Sequence, residues 1–208
     1  MSLIDITFMR HARSRADDEG VHEGRYDSPL TDVGRAQIQA RADGWRAAGV
    51  TFDRIIASTL LRANESARII GRTLGVAVED DPRWMEFDNG PLAGLPYEEA
   101  LERYPWPAFR NPYEAFFEAG ESDWEMQMRA IQGVQALVRR GPGRYLVVAH
   151  GAILNAALRH IIGTAPAPNW NHGVVFAFGD AGYARWTYHP GKHQWALREF
   201  NAGEFSDE

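Results

Sequence analysis

Short apolar runs alternate with longer amphipathic stretches along most of the chain. The first run, Leu3 to Met9, has five apolar residues, rich in β-branched and aromatic types, and predicts a buried strand. The runs 53–57, 76–79 and 144–149 predict three further strands. Strands separated by amphipathic helices are typical of βαβ units, so the pattern favours an α/β protein with a mostly parallel sheet.

Helical periodicity and capping signals predict four helices around these strands: residues 32–48, 60–74, 122–140 and 152–162. Thr31 is a suitable N-cap for the first helix, and Ser58 or Thr59 for the second. Ser122 and Glu125 form a capping-box pattern at the start of the third. We expect the first helix to bury a stripe of small apolar residues: Val33, Ala36, Ala40 and Ala47.

Three regions lack a clear period or lie outside this scheme. Residues 13–27 are polar, contain two glycines and predict a loop. Residues 92–122 are rich in aromatics and interrupted by prolines, which is typical of an inserted lid or side wall with short helices, or of a secondary core. In the tail, residues 174–178, 183–188 and 195–200 alternate and predict strands, two of them antiparallel neighbours.

Polar, chemically capable residues stand where the predicted strands end. Arg10 and His11 follow the first strand, and His150 and Gly151 follow the strand 144–149. Arg62 lies in the first turn of the helix that follows the strand 53–57. Because the carboxyl ends of parallel strands meet at one edge of a sheet, we expect these side chains to come together there.

Composition limits the partners and the location. The chain has 208 residues, 45% of them apolar, which predicts one domain over residues 1–208. Its formal charge of −6 disfavours nucleic acid and anionic membranes as partners. It has no long apolar run and no recognisable signal segment, and it contains no cysteine. These features fit a cytoplasmic protein.

The residues at the predicted edge are suited to phosphoryl chemistry. Arginine forks match phosphate oxygens, and nearby guanidinium groups help to keep a histidine neutral and nucleophilic. A proton for the leaving alkoxide could come from Glu86 or from Asp88. No His-Glu-x-x-His or His-x-His pattern occurs, so no metal site is expected.

Five segments resemble, in order, the motifs of the histidine phosphatase superfamily, the phosphoglycerate mutase-like enzymes. They are Arg10-His11-Ala12, residues 24–34 with Gln37, Ser58 to Ala63, Glu86 to Gly94, and Val147 to Gly151. The resemblance implies a three-layer α/β/α fold with an aromatic-rich helical lid at residues 92–122. It further implies His11 as the phosphorylated nucleophile, Arg10, Arg62 and His150 as the phosphate pocket, Glu86 as proton donor, and no cofactor.

Some residues depart from the family pattern or leave substrate recognition open. Ala12 replaces the usual glycine, and Arg13 stands where Glu or Gln is common. Arg13, Ser14 and Arg25 in the loop, with Gly151, are candidate contacts to substrate. The oligomeric state is open as well, with exposed aromatics as candidate contacts of a homodimer.

The resemblance favours a metal-independent phosphomonoesterase that acts on a small phosphorylated metabolite. A phosphoglycerate mutase is the alternative, although residues 92–122 offer only Arg103 and Arg110 as cations for a second anionic group. A non-catalytic binder of phosphate or phosphopeptides is a third interpretation. In that case the substitution at Ala12 would mark the decay of an enzyme.

Overall fold

A computed structural model describes residues 3–205, which form one six-stranded sheet with helices on both faces. The strands are β1 (Ile4–Arg10), β2 (Arg54–Ala57), β3 (Val78–Asp80), β4 (Gly143–Ala149), β5 (Tyr183–His189) and β6 (Gln194–Asn201). Their order is β3-β2-β4-β1-β5-β6. β1 to β4 are mutually parallel, and β5 and β6 add an antiparallel edge beside β1.

Six α-helices accompany the sheet in the described part of the chain. They are α1 (Arg15–Glu19), α2 (Asp32–Ala47), α3 (Leu61–Leu74), α4 (Tyr97–Arg103), α5 (Asp123–Arg140) and α6 (Gly151–Ile162). Four single-turn 3₁₀ helices occur at Pro82–Trp84, Gly90–Leu92, Phe116–Glu118 and Pro168–Trp170. Within residues 3–205, none of the helices has the length and apolar character needed to cross a membrane.

The helices and the sheet form the expected three-layer α/β/α arrangement, with one hydrophobic core on each face of the sheet. Ile4, Ile6 and Phe8 of β1 face α5 and α6, whereas Met9 faces α2 and α3. This alternation follows from the period of two along a strand. Because the central strands are covered on both sides, β2 is apolar from Ile55 to Ala57 and β4 from Tyr145 to Ala149.

The helix α2 buries a different face from the one expected. Its buried residues are Gly34, Ile38, Ala42 and Trp45, while Val33 is 57% exposed. The alanine stripe is therefore wrong, although the bounds and the Thr31 cap are confirmed. Ile38 and Trp45 carry more apolar area than the alanines do, so burying their side of the helix releases more free energy.

Three local predictions are corrected. The polar loop contains α1, which begins at a capping box made by Ser14 and Asp17 and ends at the left-handed Gly20. The helix α3 is capped by Leu60, with no side-chain hydrogen bond at the cap, and not by Ser58 or Thr59. Residues 174–178 do not form a strand.

The aromatic segment 92–122 packs around a small core of its own. Leu92, Ala100 and Phe116 are buried in it, and further aromatics pack around them. The ring of Trp106 contacts that of Trp170, with centroids 5.2 Å apart, and so joins the segment to the 3₁₀ turn at 168–170. The expected secondary core is thus present, and closure of the segment as a lid stays a prediction.

Candidate active site

The ends of three parallel strands bring the two histidines together. In the register of the sheet, Arg10 of β1 pairs with Ala149 of β4, and Ala57 of β2 pairs with Val148 of β4. The next residue in each strand, His11, His150 or Ser58, therefore emerges at the same edge of the sheet. The imidazole centroids of His11 and His150 lie 5.0 Å apart.

Arg62 lies against this histidine pair and is completely buried. Its Nε is 3.2 Å from Nε2 of His11. Its two terminal nitrogens donate to the carbonyl oxygens of Tyr26 and Gly24, each at 2.9 Å. The polar loop thus holds the guanidinium in place through its backbone, and Arg62 and His11 lie together at the edge of the sheet where both were expected.

The hydrogen bonds of His11 determine its tautomer. Nδ1 lies 2.7 Å from the carbonyl oxygen of Ala12, which can only accept, so Nδ1 carries a proton. Nε2 faces the Nε of Arg62, which can only donate, so Nε2 presents a lone pair. Burial, followed by the positive charges of Arg62 and Arg10, lowers the pKa of His11 well below its ordinary value. His11 is therefore a neutral, oriented imidazole.

His150 is buried beside it and is bonded on one nitrogen only. Its Nε2 lies 2.8 Å from the hydroxyl oxygen of Ser58. Its Nδ1 is buried and has no hydrogen-bond partner among the described residues. Burial, together with the charge of Arg62 and the neighbouring His11, lowers the pKa of His150 well below its ordinary value. A buried ring nitrogen in this position is available to a bound ligand.

Glu86 is placed next to the histidines by the start of α6. Its carboxylate accepts the backbone N–H groups of Ala152 and Ile153, both at 3.0 Å. His150 is the N-cap residue of α6 but makes no side-chain cap, so Glu86 supplies the missing acceptor. Asp88 points elsewhere, with an oxygen 3.0 Å from a terminal nitrogen of Arg25.

The other predicted site residues have contacts of different kinds, some with the histidine cluster and some with residues away from it. Arg10 donates to the carbonyl oxygen of Phe178 at 2.9 Å, and its charge acts on both histidines. Ser14 is buried, caps α1 and donates to Glu23. Arg13 pairs with Asp18 at 2.6 Å. Arg25 contacts Asp88 and also Glu121, the latter at 3.5 Å, and Gly151 is the first residue of α6.

Two residues at the site were not predicted to act there. Glu23 has one carboxylate oxygen 3.6 Å from Nε2 of His11 and the other 3.3 Å from Nε of Arg62. No periodicity or spacing in the polar loop distinguishes Glu23 from its acidic neighbours. Ser58 was predicted to follow a strand and to begin one of the five motifs, but it was given no role at the site; its hydroxyl lies 2.8 Å from Nε2 of His150.

Ala12 causes no backbone strain in the motif. It is fully buried and is not among the residues with a positive φ angle. Since a glycine is needed only where φ is positive or where a Cβ atom has no room, alanine is compatible with this position. The departure from the family motif at Ala12 therefore does not indicate loss of the site.

The fold and this cluster define a class of α/β/α protein. Here two buried histidines and a buried arginine lie together at the carboxyl ends of the parallel strands. The chain belongs to the histidine phosphatase superfamily (branch 1), whose family model matches residues 6–203. It is therefore an enzyme of the phosphoryl-transfer type found among phosphatases and phosphoglycerate mutase-like enzymes.

Individual relatives are moderately similar to the chain. "Uncharacterized phosphatase PhoE" of Bacillus subtilis is 26% identical over 197 residues, which cover 94% of this chain and 93% of that protein. "Probable phosphoglycerate mutase GpmB" of Enterobacter sp. is 30% identical over 165 residues, which cover 77% and 76%.

Solved structures of mycobacterial proteins have the same fold. Mycobacterial glucosyl-3-phosphoglycerate phosphatase is 24% identical with a TM-score of 0.81, and the match covers 97% of this chain and 100% of that structure. "Mycobacterial hydrolase 2" is 23% identical with a TM-score of 0.82, covering 100% and 94%.

Proposed function

We propose that this enzyme is a metal-independent phosphomonoesterase that acts on a small phosphorylated metabolite through a phosphohistidine at His11. The observation that carries the proposal is the bonding of His11. Its Nδ1 proton is held by the carbonyl of Ala12, and its Nε2 lone pair faces the buried guanidinium of Arg62. A neutral, oriented imidazole beside a cation is what attack on a phosphate ester requires.

The phosphoryl oxygens have several donors within the cluster. Arg62 and Arg10 supply positive charge, and charge-assisted hydrogen bonds to phosphate are among the strong ones. Nδ1 of His150 is buried without a partner among residues 3–205, so a bound oxygen would satisfy it. Of the predicted substrate contacts, Ser14 is linked to the cluster through its hydrogen bond to Glu23. Arg13, Arg25 and Gly151 stay predicted substrate contacts.

Glu86 serves as the proton donor in this mechanism. As the bond from Nε2 of His11 to phosphorus forms, the ester P–O bond breaks, and the leaving alkoxide takes a proton from the Glu86 carboxyl group. In the second step the Glu86 carboxylate accepts a proton from water, which attacks the phosphohistidine and releases inorganic phosphate and neutral His11. This role is supported by the hydrogen bonds of Glu86 to the backbone N–H groups of Ala152 and Ile153, which follow His150 closely in the chain.

The cations in the segment 92–122 favour a phosphatase over a mutase. A mutase must retain a bisphosphorylated intermediate, which requires cations directed at a second anionic group. Arg110 is 7% exposed and pairs with Asp123 at 2.9 Å, and Arg103 pairs with Glu99 at 2.6 Å on the surface. Both are already neutralised, so the described part of this segment offers no free cation for a second phosphoryl group, which supports transfer of the phosphoryl group to water.

The test is the variant His11→Ala, assayed with p-nitrophenyl phosphate. We expect turnover to be abolished, together with the acid-labile phosphate that the native enzyme forms. The matched control is His189→Ala. Tyr188 pairs with Ile4 at the start of β1, so His189, the next residue, lies at the opposite end of the strands from His11. Undiminished hydrolysis by His11→Ala would refute the mechanism.

Two further measurements address the finer parts of the proposal. EDTA should leave hydrolysis intact, and a loss that a divalent cation restores would contradict metal independence. Incubation with 3-phosphoglycerate and a trace of 2,3-bisphosphoglycerate should release inorganic phosphate instead of the 2-isomer. Efficient formation of the 2-isomer would show a mutase.

A further inference from the structure

A cavity of about 400 Å³ lies next to the proposed proton donor. Its lining includes Phe87, Met126, Ala152, Asn155, Arg159 and Trp170. Ala152 donates its backbone N–H to Glu86, and Phe87 directly follows Glu86, so the cavity borders the side of the site from which a leaving alcohol would receive its proton.

Arg159 is the unusual member of this lining. It is 4% exposed, its Nε is buried without a partner, and it makes no hydrogen bond or ion pair through its guanidinium with any residue in 3–205. Burial lowers its pKa, opposed by the charge of Asp123. Its Nε is therefore a buried N–H without a partner, which costs free energy unless a ligand compensates it.

The neighbouring polar groups do not hydrogen-bond to it. Oδ1 of Asp123 accepts from Arg110 at 2.9 Å and from the indole of Trp170 at 3.3 Å, and its buried Oδ2 has no partner among residues 3–205. The amide of Asn155 is satisfied by Gly151 and by both backbone groups of Phe176. Two guanidinium groups therefore face one carboxylate, and the surplus is positive.

His172 also lines the cavity without changing this balance. Its pKa is lowered, chiefly by burial, and its Nδ1 accepts the backbone N–H of Ala167 at 3.3 Å. It is therefore neutral near pH 7, and the surplus positive charge stays on the arginines.

We propose that this cavity binds the alcohol part of the substrate and that Arg159 binds a second anionic group carried by that alcohol. This inference rests on the proposed phosphatase function. The rings of Phe87 and Trp170 and the side chain of Met126 form apolar walls, so the body between the two anions is apolar or aromatic.

The spacing along α6 sets the reach of such a substrate. Gly151, Ala152, Asn155 and Arg159 share one face of the helix, and the eight steps from Gly151 to Arg159 span about 12 Å of its axis. The long side chain of Arg159 leans back toward the start of α6. The second anion therefore lies within that span and is separated from the phosphoryl group by a rigid spacer such as a ring.

The test compares two substrates that differ in one charge: 4-carboxyphenyl phosphate and its neutral amide analogue, 4-carbamoylphenyl phosphate. We expect the native enzyme to prefer the carboxylate, in kcat/KM, by roughly 10- to 100-fold, the worth of a hydrogen bond between charged groups. Arg159→Gln should bring this ratio close to one, and Arg159→Lys should retain part of it. Arg139→Gln, at an exposed arginine in the last turn of α5, is the matched control and should keep the ratio.

A binding measurement separates this inference from the proposed function. Calorimetric titration with 4-carboxybenzylphosphonate and its carbamoyl analogue reports the same preference without turnover. Preferential binding of the carboxylate in an enzyme that hydrolyses neither ester would refute the phosphatase and keep the subsite. Hydrolysis of both esters without preference would refute the subsite alone.

The proposal requires both that the native enzyme prefers the carboxylate substrate and that Arg159→Gln loses this preference. An unchanged ratio in Arg159→Gln overturns the assignment of Arg159. If Arg159→Gln does not fold, Arg159→Lys takes its place in the test. A partial loss of the native ratio supports the proposal, whereas the full native ratio would show that no directed guanidinium contact exists.

Discussion

One carboxylate oxygen of Glu23 lies 3.6 Å from Nε2 of His11, the nitrogen that attacks phosphorus in the proposed mechanism. Its other oxygen is 3.3 Å from Nε of Arg62 and also accepts a hydrogen bond from Ser14. Because His11 is neutral, the ionic part of this contact is with Arg62. Glu23 therefore competes with any phosphate for that guanidinium.

Replacing Glu23 by glutamine should tighten the binding of phosphate-like anions. Like charges about 4 Å apart repel by several kcal/mol at the effective dielectric constant of a protein site. Because Glu23 can turn away when an anion enters, we expect a smaller gain of roughly tenfold in the inhibition constant of orthovanadate. The measurement is competitive inhibition of p-nitrophenyl phosphate hydrolysis.

The matched control for this variant is Glu19→Gln. Glu19 lies in the same loop but pairs with Arg15 on the surface, at 3.0 Å. Vanadate inhibition should be unchanged in Glu19→Gln. Weaker inhibition in Glu23→Gln than in the native enzyme would mean that Glu23 helps to hold the anion instead of competing with it.

The role of Glu86 as proton donor predicts a dependence on the leaving group. Glu86→Gln should lower kcat for phenyl phosphate by roughly 10²- to 10⁴-fold, the usual contribution of a general acid. With 2,4-dinitrophenyl phosphate, whose phenolate leaving group needs no proton, the decrease in kcat should be much smaller. Steady-state rates with both esters give the comparison.

Asp88→Asn distinguishes the two carboxylates considered from the sequence. Asp88 binds Arg25 and the backbone N–H of Gly90, so any decrease in kcat in Asp88→Asn should be the same for both leaving groups. A larger leaving-group effect in Asp88→Asn than in Glu86→Gln would reverse the assignment.

The buried histidines predict how stability depends on pH. The pKa values of His11 and His150 are lowered by burial and by nearby arginines, whereas in the unfolded chain they lie near 6.5. Below about pH 6.5 the unfolded state therefore binds more protons, and the free energy of unfolding decreases as the pH falls toward the folded values. Each histidine contributes at most about 1.4 kcal/mol per pH unit.

Urea unfolding of the native enzyme and of His11→Gln between pH 8 and pH 5 measures this effect. The loss of stability should be less steep in the variant, because one histidine no longer takes up a proton on unfolding. Burial lowers the pKa values of His22, His160 and His172 as well, so part of the slope should persist. Equal slopes in both proteins would contradict the buried, neutral state of His11.

Two glycines of α2 should respond in opposite directions to alanine. A Cβ atom at Gly34 would lie 2.1 Å from the carbonyl oxygen of Arg13, close to the nucleophile, whereas nothing lies within 4 Å of one at Gly44. Gly34→Ala should destabilise the protein by roughly 1–3 kcal/mol through overpacking. Gly44→Ala should stabilise it by about 0.5–1 kcal/mol through helix propensity.

Thermal unfolding of both variants checks this prediction, with p-nitrophenyl phosphate activity as a second measure. We expect activity to fall only in Gly34→Ala, since its clash displaces the backbone that carries His11. Equal stability of the two variants would show that the backbone of Arg13 moves aside without cost.

Much of the fold follows from the sequence alone because its signals are local. The alternation along a strand, the capping box at Ser122 and the glycines that end α3 and α6 each involve residues within a few positions of one another. The same signals place His11 and His150 at strand ends. The prediction of the buried face of α2 was wrong because periodicity alone does not show which of two adjacent stripes of the helix packs against the sheet.

The arrangement of the site was decided by tertiary structure. Glu86 binds the start of α6 across 66 and 67 residues, Ser58 reaches His150 across 92, and Glu23 turns toward a nucleophile that no local rule connects with it. The guanidinium of Arg159 makes no hydrogen bond within residues 3–205, although Asp123 nearby binds Arg110 and Trp170 through Oδ1 alone and leaves Oδ2 without a partner. Such contacts depend on how distant segments pack and on which charges are left unpaired, and neither property is encoded in local periodicity or capping.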